Sequence, residues 1–371
     1  MWTPQVPGTG SYAITLYKYE PGVGWGDTAV TCTMEAEANE ASDVVNSFTV
    51  NPGDEVVVKW VPSVAPAPDN GIRPHYTIEF EGDTEKESLL PCNFRAHETQ
   101  VRYNPPMGSH ISTGGTQEAP SERICPTNGK LKNMRIRLTT DPGTSPDAYR
   151  FTLRINQANS DDGEGNPLQV TITANDKTGE DLVHEISISA GDKFCILCEP
   201  IETPSADPYC IIGMTFVPDV DGESLVLGGT SDNLDAASTE YNFMQTSITV
   251  PWGSQENLRY QLVGDCVFKK LYVGTQLAPG GGKSFTFTPR INGTSPDGGL
   301  EVILVEDNIG NDLVNSINAA FGDKLNLMAV PSGSPNCGDS MFSMVSYIAA
   351  PLPPKAGGGG TAPLLVAQGL I

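Results

Sequence analysis

The sequence has few basic residues for its length and no long apolar run. Of its 371 residues, 22 are Lys or Arg and 45 are Asp or Glu, so the formal net charge is −23. Such an excess repels the phosphates of nucleic acid and the anionic surface of a membrane. No segment reaches the roughly 20 apolar residues that a membrane helix needs. We therefore expect no nucleic-acid partner and no membrane partner, and the acidity favours an extracellular or particle-surface protein.

Catalytic and cofactor-binding patterns are also missing. The sequence has 4 His residues and contains neither Gly-x-Ser-x-Gly nor His-Glu-x-x-His. The stretch PGGGKSFTF, at 279–287, resembles the end of a phosphate loop, but Leu277 stands where the first Gly belongs. An alternating aromatic segment, typical of a strand, follows it instead of a helix. The sequence thus predicts no enzyme, no catalytic residue, no cofactor and no metal site.

The residues that are abundant indicate an all-β protein. Gly occurs 39 times and Pro 30 times, whereas only 18% of the residues are charged. Many turn formers together with frequent Thr, Val and Ile are typical of short strands joined by turns.

Three blocks of the sequence align without gaps. Each block runs from an Asp to a Gly-Asp pair, and a Pro follows that Gly nine residues later. The blocks are 43–54, 181–192 and 312–323, followed by Pro62, Pro200 and Pro331. A block that occurs three times along the sequence in the same frame indicates tandem domains of one kind. The repeated Asp43, Asp181 and Asp312 are interpreted as a turn or cap that recurs with the fold, the alternative being three binding sites.

Each repeat reads as seven or eight short strands, which predicts tandem jelly-roll-like β-sandwiches, about two and three-quarter in number. The predicted boundaries are 1–86 for partial repeat 1, 87–222 for repeat 2, 223–354 for repeat 3 and 355–371 for a Gly-rich linker and apolar tail. The last strand of the three repeats is predicted at 76–80, 211–216 and 342–347.

The repeats are out of phase with the ends of the sequence. Repeat 1 starts at its Gly-rich turn, and the apolar tail 362–371 resembles the start of a repeat at Ser88 and Ser224. Two explanations stay open. The sequence belongs to a longer array, or the tail adds a strand to the open repeat of another subunit by β-augmentation.

Cysteines and acidic loops offer weaker candidates. None of the 8 Cys residues recurs at one repeat position, and Cys195 and Cys198 share a strand in which they face opposite sides. A zinc site is therefore not expected, and a Cys198–Cys210 or Cys92–Cys125 disulfide stays open beside the interpretation as small core residues.

Two loops have the oxygen ligands that calcium prefers, 160–164 and 219–223. The matching places in the other repeats lack those ligands, so ordinary hydrophilic loops are the favoured interpretation.

The order of motifs carries one resemblance. A Leu-Leu start, Tyr-Asn, NMRIRL, APGGGKSFTFTPRING and GDKLNLMAVPSGSP follow one another along the chain. This order resembles the repeated β-sandwich domains of uncharacterised structural proteins of tailed bacteriophages and environmental viruses. The resemblance implies a virion protein, such as a fibre, spike or capsid decoration, with itself and other virion proteins as partners.

Two further hypotheses compete with a non-enzymatic virion protein that assembles as a homo-oligomer. One is a subunit of a cellular extracellular filament or adhesin at the cell surface. The other is an array of carbohydrate-binding modules, for which the candidates are Trp2, Trp25, Trp60 and Trp252.

Overall fold

The structure, a computed structural model, describes residues 10–63, 76–80, 87–246 and 248–348. Trp2, His75 and the predicted linker and tail at 355–371 lie outside these residues. Contacts divide the chain into two units, of which unit 1 holds 10–63 and Tyr76, and unit 2 holds the described residues from Thr77 onward. Within the described residues no helix has the length and apolarity needed to cross a membrane.

The regular structure is almost entirely β, which confirms the predicted fold class. Two short 3₁₀ helices, Ala119–Ser121 and Glu256–Leu258, are the exceptions in the part that the structure describes. The strands form five sheets and pair antiparallel, apart from one parallel pair in repeat 2. Unit 1 contributes β1 (Tyr12–Glu20), β2 (Gly24–Met34) and β3 (Glu55–Pro62).

Repeat 2 supplies twelve strands to two sheets. They are β4 (Ser88–Arg95), β5 (Arg102–Asn104), β6 (Gly108–Thr113), β7 (Arg123–Ile124), β8 (Gly129–Leu138), β9 (Ala148–Ile155), β10 (Ala158–Asn159), β11 (Gln169–Thr173), β12 (Thr178–Asp181), β13 (Ile186–Ile188), β14 (Lys193–Ile201) and β15 (Tyr209–Pro218). The first sheet has the order β12–β8–β15–β4–β6, with β13 also on β8. The second has the order β10–β9–β14–β5, with β11 on β9 and β7 on β14.

Repeat 3 reproduces this arrangement with nine strands. They are β16 (Glu223–Thr230), β17 (Glu240–Asn242), β18 (Gln261–Leu262), β19 (Cys266–Thr275), β20 (Ser284–Ile291), β21 (Val302–Leu304), β22 (Ile309–Ala319), β23 (Lys324–Ser332) and β24 (Ser340–Tyr347). Its sheets have the orders β16–β24–β19–β22 and β17–β23–β20–β21, with β18 on β23.

Both repeats are jelly rolls. If the principal strands are lettered B to I in chain order, the first sheet of each repeat has the order B–I–D–G and the second has C–H–E–F. Eight strands in two sheets of this kind form the double-sheet jelly roll. The two sheets enclose one core because inward residues alternate with outward ones along each strand. In repeat 2, for example, Leu90 and Met134 of the first sheet share a buried cluster with Phe151 and Ile196 of the second.

Unit 1 has the register of one half of this fold. Its sheet has the order β2–β1–β3, which corresponds to strands F, E and H. Tyr12 lies opposite Pro62, as Tyr149 lies opposite Pro200 and Phe285 lies opposite Pro331.

The strand predicted at 76–80 is wrong. Those residues form no strand, whereas the equivalent segments lie within β15 and β24. Strand I of a jelly roll pairs with B and D, and no described strand of unit 1 corresponds to B or D. Ile78 alone takes part in an isolated β-bridge, so the described residues 76–80 have no ladder of paired residues that would make them a strand.

The Gly-rich run before Lys283 is a turn that leads into a strand. Gly280 and Gly282 have φ values of 100° and 72°, the left-handed region that glycine adopts without steric cost. β20 then begins at Ser284, so the predicted strand is confirmed.

Candidate interaction surfaces

The repeated aspartate anchors a turn through four hydrogen bonds, here called the Asp turn. In repeat 3, Asp312 Oδ1 accepts from the main-chain N–H groups of Val314 (3.1 Å) and Asn315 (3.0 Å). Its Oδ2 accepts from the N–H of Glu301 (3.0 Å) and from Asn315 Nδ2 (2.9 Å). The carboxylate thus joins the turn to the chain that precedes β21.

Repeats 1 and 2 contain the same turn. Asp43 accepts from the main chain of Thr31, Val45 and Asn46 at 2.9–3.1 Å, and from Asn46 Nδ2 at 3.0 Å. Burial acts to raise the pKa of Asp43, but the hydrogen bonds from Asn46, Thr31 and Val45 outweigh it and lower the pKa to about 2.

In repeat 2, Asp181 accepts from the main chain of Gln169, Val183 and His184, and His184 Nδ1 lies 2.9 Å from its Oδ2. The pKa of Asp181 is lowered, because these hydrogen bonds outweigh burial. The contacts fit the interpretation of a turn that recurs with the fold.

The Asp turn holds two aliphatic side chains outward in every repeat. The exposed fractions are 57% and 77% for Val44 and Val45, 44% and 82% for Leu182 and Val183, and 54% and 91% for Leu313 and Val314. Single exposed aliphatic residues are ordinary, whereas this pair recurs at one fixed position of the turn, which makes it a candidate contact surface. Sequence reasoning identified the Asp and missed the pair that follows it.

A second feature that sequence reasoning missed is a repeated ion pair on the outer side of the second sheet. Arg154 Nε lies 2.5 Å from Glu118 Oε1, and Arg290 Nε lies 2.7 Å from Glu256 Oε1. The alignment of Gln117-Glu118 with Gln255-Glu256 was the available signal. Each pair fastens the loop that carries a 3₁₀ helix onto strand E, so its role is local.

Repeats 2 and 3 meet at a buried junction. The segment Arg123–Asn128 of repeat 2, here called the C–D corner because it joins strands C and D, contacts the outer side of the first sheet of repeat 3. Ile124 forms a buried cluster with Tyr272 and Met341. Leu225 and Leu227 of β16 belong to the same buried cluster as the core of repeat 2.

Arg123 is the most unusual residue of the junction. Its side chain is fully buried, and Nη2 donates to the carbonyl oxygen of Gly229 at 3.3 Å while Nη1 donates to that of Glu122 at 2.8 Å. Burial lowers the pKa of Arg123 to about 10. Repeat 3 has Gln261 at the equivalent position, which bonds to Gln245 within its own repeat.

A charged group closes the other side of the junction. Glu223 is 2% exposed, and its Oε1 lies 2.7 Å from Lys270 Nζ and 3.0 Å from Lys269 Nζ. Thr127 of the C–D corner donates to Glu223 Oε2. Burial acts to raise the pKa of Glu223, but the hydrogen bonds from Lys270, Thr127 and Lys269 lower it. Glu223 was one candidate ligand of the calcium site considered at 219–223, and its carboxylate instead forms ion pairs with the two lysines.

The other calcium candidate is a loop that satisfies its own carboxylates. Asp161 accepts from the N–H of Gly163, and Asp162 accepts from the N–H groups of Glu164 and Asn166. Within the residues that the structure covers, no group of three or more His, Cys, Asp or Glu side chains has a geometry that could hold a metal ion.

The cysteines are thiols in the structure. All eight are free, including Cys198, Cys210, Cys92 and Cys125, for which disulfides had stayed open. Burial raises the pKa of Cys125 to about 12, and it also raises that of Cys195. Cys195 and Cys198 are both buried within β14, as expected of small core residues.

The three described tryptophans lie in different settings. Trp252 is 4% exposed and packs against Phe342 in the core of repeat 3. Trp60 makes an edge contact with Tyr12. Trp25 is 42% exposed and stacks on Tyr17, with ring centroids 5.2 Å apart.

Tyr19 completes an aromatic group with Trp25 and Tyr17. Its ring centroid lies 5.4 Å from that of Trp25, and the Nζ of Lys59 lies 4.6 Å from the centroid of Tyr17. This group on unit 1 is here called the aromatic platform.

Comparison with known proteins adds no relative. No model of a known protein family matches the chain, and no curated protein matches it in sequence.

Proposed function

We propose that this chain is a non-enzymatic structural protein of a virus particle, a fibre, spike or capsid decoration, that assembles as a multimer. The observation that carries the proposal is the buried junction between repeats 2 and 3. One jelly roll presents a corner, and the next presents the outer side of its first sheet. A contact between two different patches of the same kind of domain can be repeated from copy to copy.

The chemistry of the described residues supports a structural role. The recurring polar groups are the Asp turns and the Glu–Arg pairs. Their side chains form hydrogen bonds and ion pairs that fix the conformation of loops. The jelly roll is an architecture of viral capsid domains, although it also serves lectins and cupins.

Labelling of particles tests the proposal. An antibody against the chain is applied to native particles purified on a density gradient, and gold particles are located by electron microscopy. We expect the antigen to sediment with the particles and to label their surface. Antigen recovered only with cell envelopes would favour the alternative, a cellular filament or adhesin.

A second candidate function is carbohydrate binding by unit 1, which the aromatic platform favours. Sugars stack on exposed aromatic rings, and Trp25 presents such a ring beside Tyr17 and Tyr19. A glycan array probed with the full chain and with Trp25→Ala tests it. Binding that Trp25→Ala abolishes and Trp252→Phe preserves supports this function, and an array without hits removes it.

A further inference from the structure

The outer side of the second sheet differs at one position between the two complete repeats. In repeat 2, Arg150 of strand E lies opposite Glu199 of strand H, and the Nε of Arg150 lies 3.0 Å from Oε2 of Glu199. Strand register places Thr286 and Val330 at these two positions in repeat 3. Two short, uncharged side chains therefore stand where repeat 2 has an ion pair.

A cavity occupies this position in repeat 3. Its volume is about 360 Å³, within the range of roughly 300–1,000 Å³ that is common for ligand pockets. Thr286, Met328 and Val330 line it from strands E and H. Ser295 and Pro296 line it from the loop that joins strands E and F.

A carboxylate that repeat 2 lacks also lines the cavity. The Oε2 of Glu301 accepts a hydrogen bond from the hydroxyl of Thr288 at 3.1 Å. Repeat 2 has Gln169 at the equivalent position, where its Nε2 donates to the hydroxyl of Thr152 at 2.8 Å. The repeat with the arginine thus has a neutral amide here, and the repeat without it has an anion. Within the part of the chain that the structure describes, no cation pairs with Glu301.

Hydrogen bonds hold the main chain around the cavity in place. The N–H of Glu301 donates to Asp312 of the Asp turn at 3.0 Å. In the loop between strands E and F, the N–H and the hydroxyl of Thr294 donate to the carbonyl oxygen of Ile291 at 3.0 Å and 2.8 Å. A site that is already ordered binds more tightly than one that its ligand must order.

A neighbouring guanidinium has its own counterion. Arg290 Nη1 lies 3.4 Å from Ser295 Oγ and 3.6 Å from Met328 Sδ. Its Nε lies 2.7 Å from Glu256 Oε1, so that carboxylate balances its charge. The cavity therefore keeps the negative charge of Glu301, in a chain whose net charge is −23.

We infer that this cavity binds the guanidinium group of an arginine side chain from a partner protein. The guanidinium lies where repeat 2 places that of its own Arg150, and Glu301 supplies the charge that Glu199 supplies there. The site goes beyond the proposed function, since it belongs to one domain and holds for any particle or cell that carries the chain.

The lining suits this ligand in two ways. A guanidinium has five N–H donors in a fixed fork, and the carboxylate of Glu301 together with the hydroxyls of Thr286 and Ser295 offers acceptors for several of them. The aliphatic stem of an arginine packs against apolar surface, which Met328 and Val330 provide.

Methyl NMR of the full chain tests the inference. The methionine methyl groups are labelled with ¹³C, and the signal of Met328, assigned with Met328→Leu, reports on the cavity. The probe is a tripeptide of glycine, arginine and glycine with both ends capped. We expect a saturable shift of the Met328 signal at millimolar probe, whereas Met344, which is buried in the core, does not respond. A Met328 signal that does not move would overturn the inference.

The charge of Glu301 is tested by Glu301→Gln, which introduces the side chain of repeat 2 and keeps the shape of the cavity. This variant should bind the arginine peptide at least about tenfold more weakly, because a hydrogen-bonded charge pair is lost. A peptide with citrulline, the neutral counterpart of arginine, should lose as much affinity for the unaltered chain. Unchanged affinity in either comparison contradicts the inference.

Filling the cavity provides a second, independent variant. Thr286→Arg combined with Val330→Glu places the ion pair of repeat 2 in repeat 3. We expect this double variant to keep the melting temperature of the unaltered chain and to lose the peptide. Binding at full affinity would place the peptide elsewhere and overturn the inference.

Two further probes separate the sources of the cation. A lysine peptide that binds as tightly as the arginine peptide would assign the site to cations of any kind. Free arginine that binds more tightly than the capped peptide would assign it to a small molecule. Either result overturns the inference, and neither affects particle labelling, so the proposed function fails or stands separately.

Discussion

At the scale of single residues, the Asp turn connects sequence to structure most directly. One carboxylate with four hydrogen bonds fixes a turn and leaves two aliphatic side chains outside, in three copies. The Asp could be predicted because it recurs in a fixed frame. Its bonds to distant main-chain groups could not, because they depend on how strand F of the second sheet approaches strand G of the first sheet.

Replacing Asp312 by Ala is expected to lower the free energy of unfolding by about 1–3 kcal/mol, because main-chain donors lose a charged acceptor. Thermal unfolding followed by circular dichroism measures the change. Asp297→Ala, at an exposed loop position, is the control and should leave the melting temperature unchanged. Equal effects of the two substitutions would contradict the role given to Asp312.

Acid is expected to weaken unit 1 through Asp43. Its pKa is about 2 in the folded protein and 3.8 is its ordinary value, so the folded state holds fewer protons. The stability that Asp43 contributes is complete above about pH 4 and is lost as the pH falls toward 2. Denaturant unfolding at several pH values, followed by tryptophan fluorescence, measures this loss.

Asp43→Asn removes the titrating group and is the comparison for the acid experiment. Its stability should fall less steeply between pH 4 and pH 2 than that of the unaltered chain. Parallel curves would show that Asp43 does not titrate with a lowered pKa.

At the scale of elements, the strands were predictable and their neighbours were not. Alternation and turn residues located β15, β20 and β24. The segment 76–80 has the composition of a strand but forms none, because a strand needs partners as well as propensity. The junction was unpredictable, since Arg123 has Gln261 as its counterpart and no repeated signal marks it.

The junction gives a sharp test with two glycines. A Cβ at Gly229 would lie 2.8 Å from the carbonyl oxygen of Ser340 and 2.9 Å from the guanidinium of Arg123, whereas a Cβ at Gly213 meets nothing within 4 Å. Gly229→Ala is therefore expected to destabilise unit 2 by about 1–3 kcal/mol through overpacking.

Gly213→Ala, in strand I of repeat 2, should be neutral or slightly stabilising, because alanine restricts the unfolded chain. Calorimetry of the two variants compares them. A smaller effect at Gly229 than at Gly213 would show that Arg123 does not fill the junction as described.

At the scale of the whole molecule, the sequence predicts the fold, whereas it only limits the classes of function that the chain can have. Composition, turns and the repeat predicted tandem jelly rolls, and the two complete repeats have that strand order. The described strands of repeat 1 correspond to F, E and H. That repeat 1 lacks the front strands of the fold stays a prediction. No comparable sequence pattern identifies a function, because the recurring polar residues of this protein form turns.

We propose that this chain is part of a virus particle. The most direct measurement is cryo-electron microscopy of native particles labelled with an antibody against the chain. The account predicts surface density at the labelled sites into which the two adjoining jelly rolls of unit 2 fit. Particles without such density, with the chain found only in cell fractions, would contradict it.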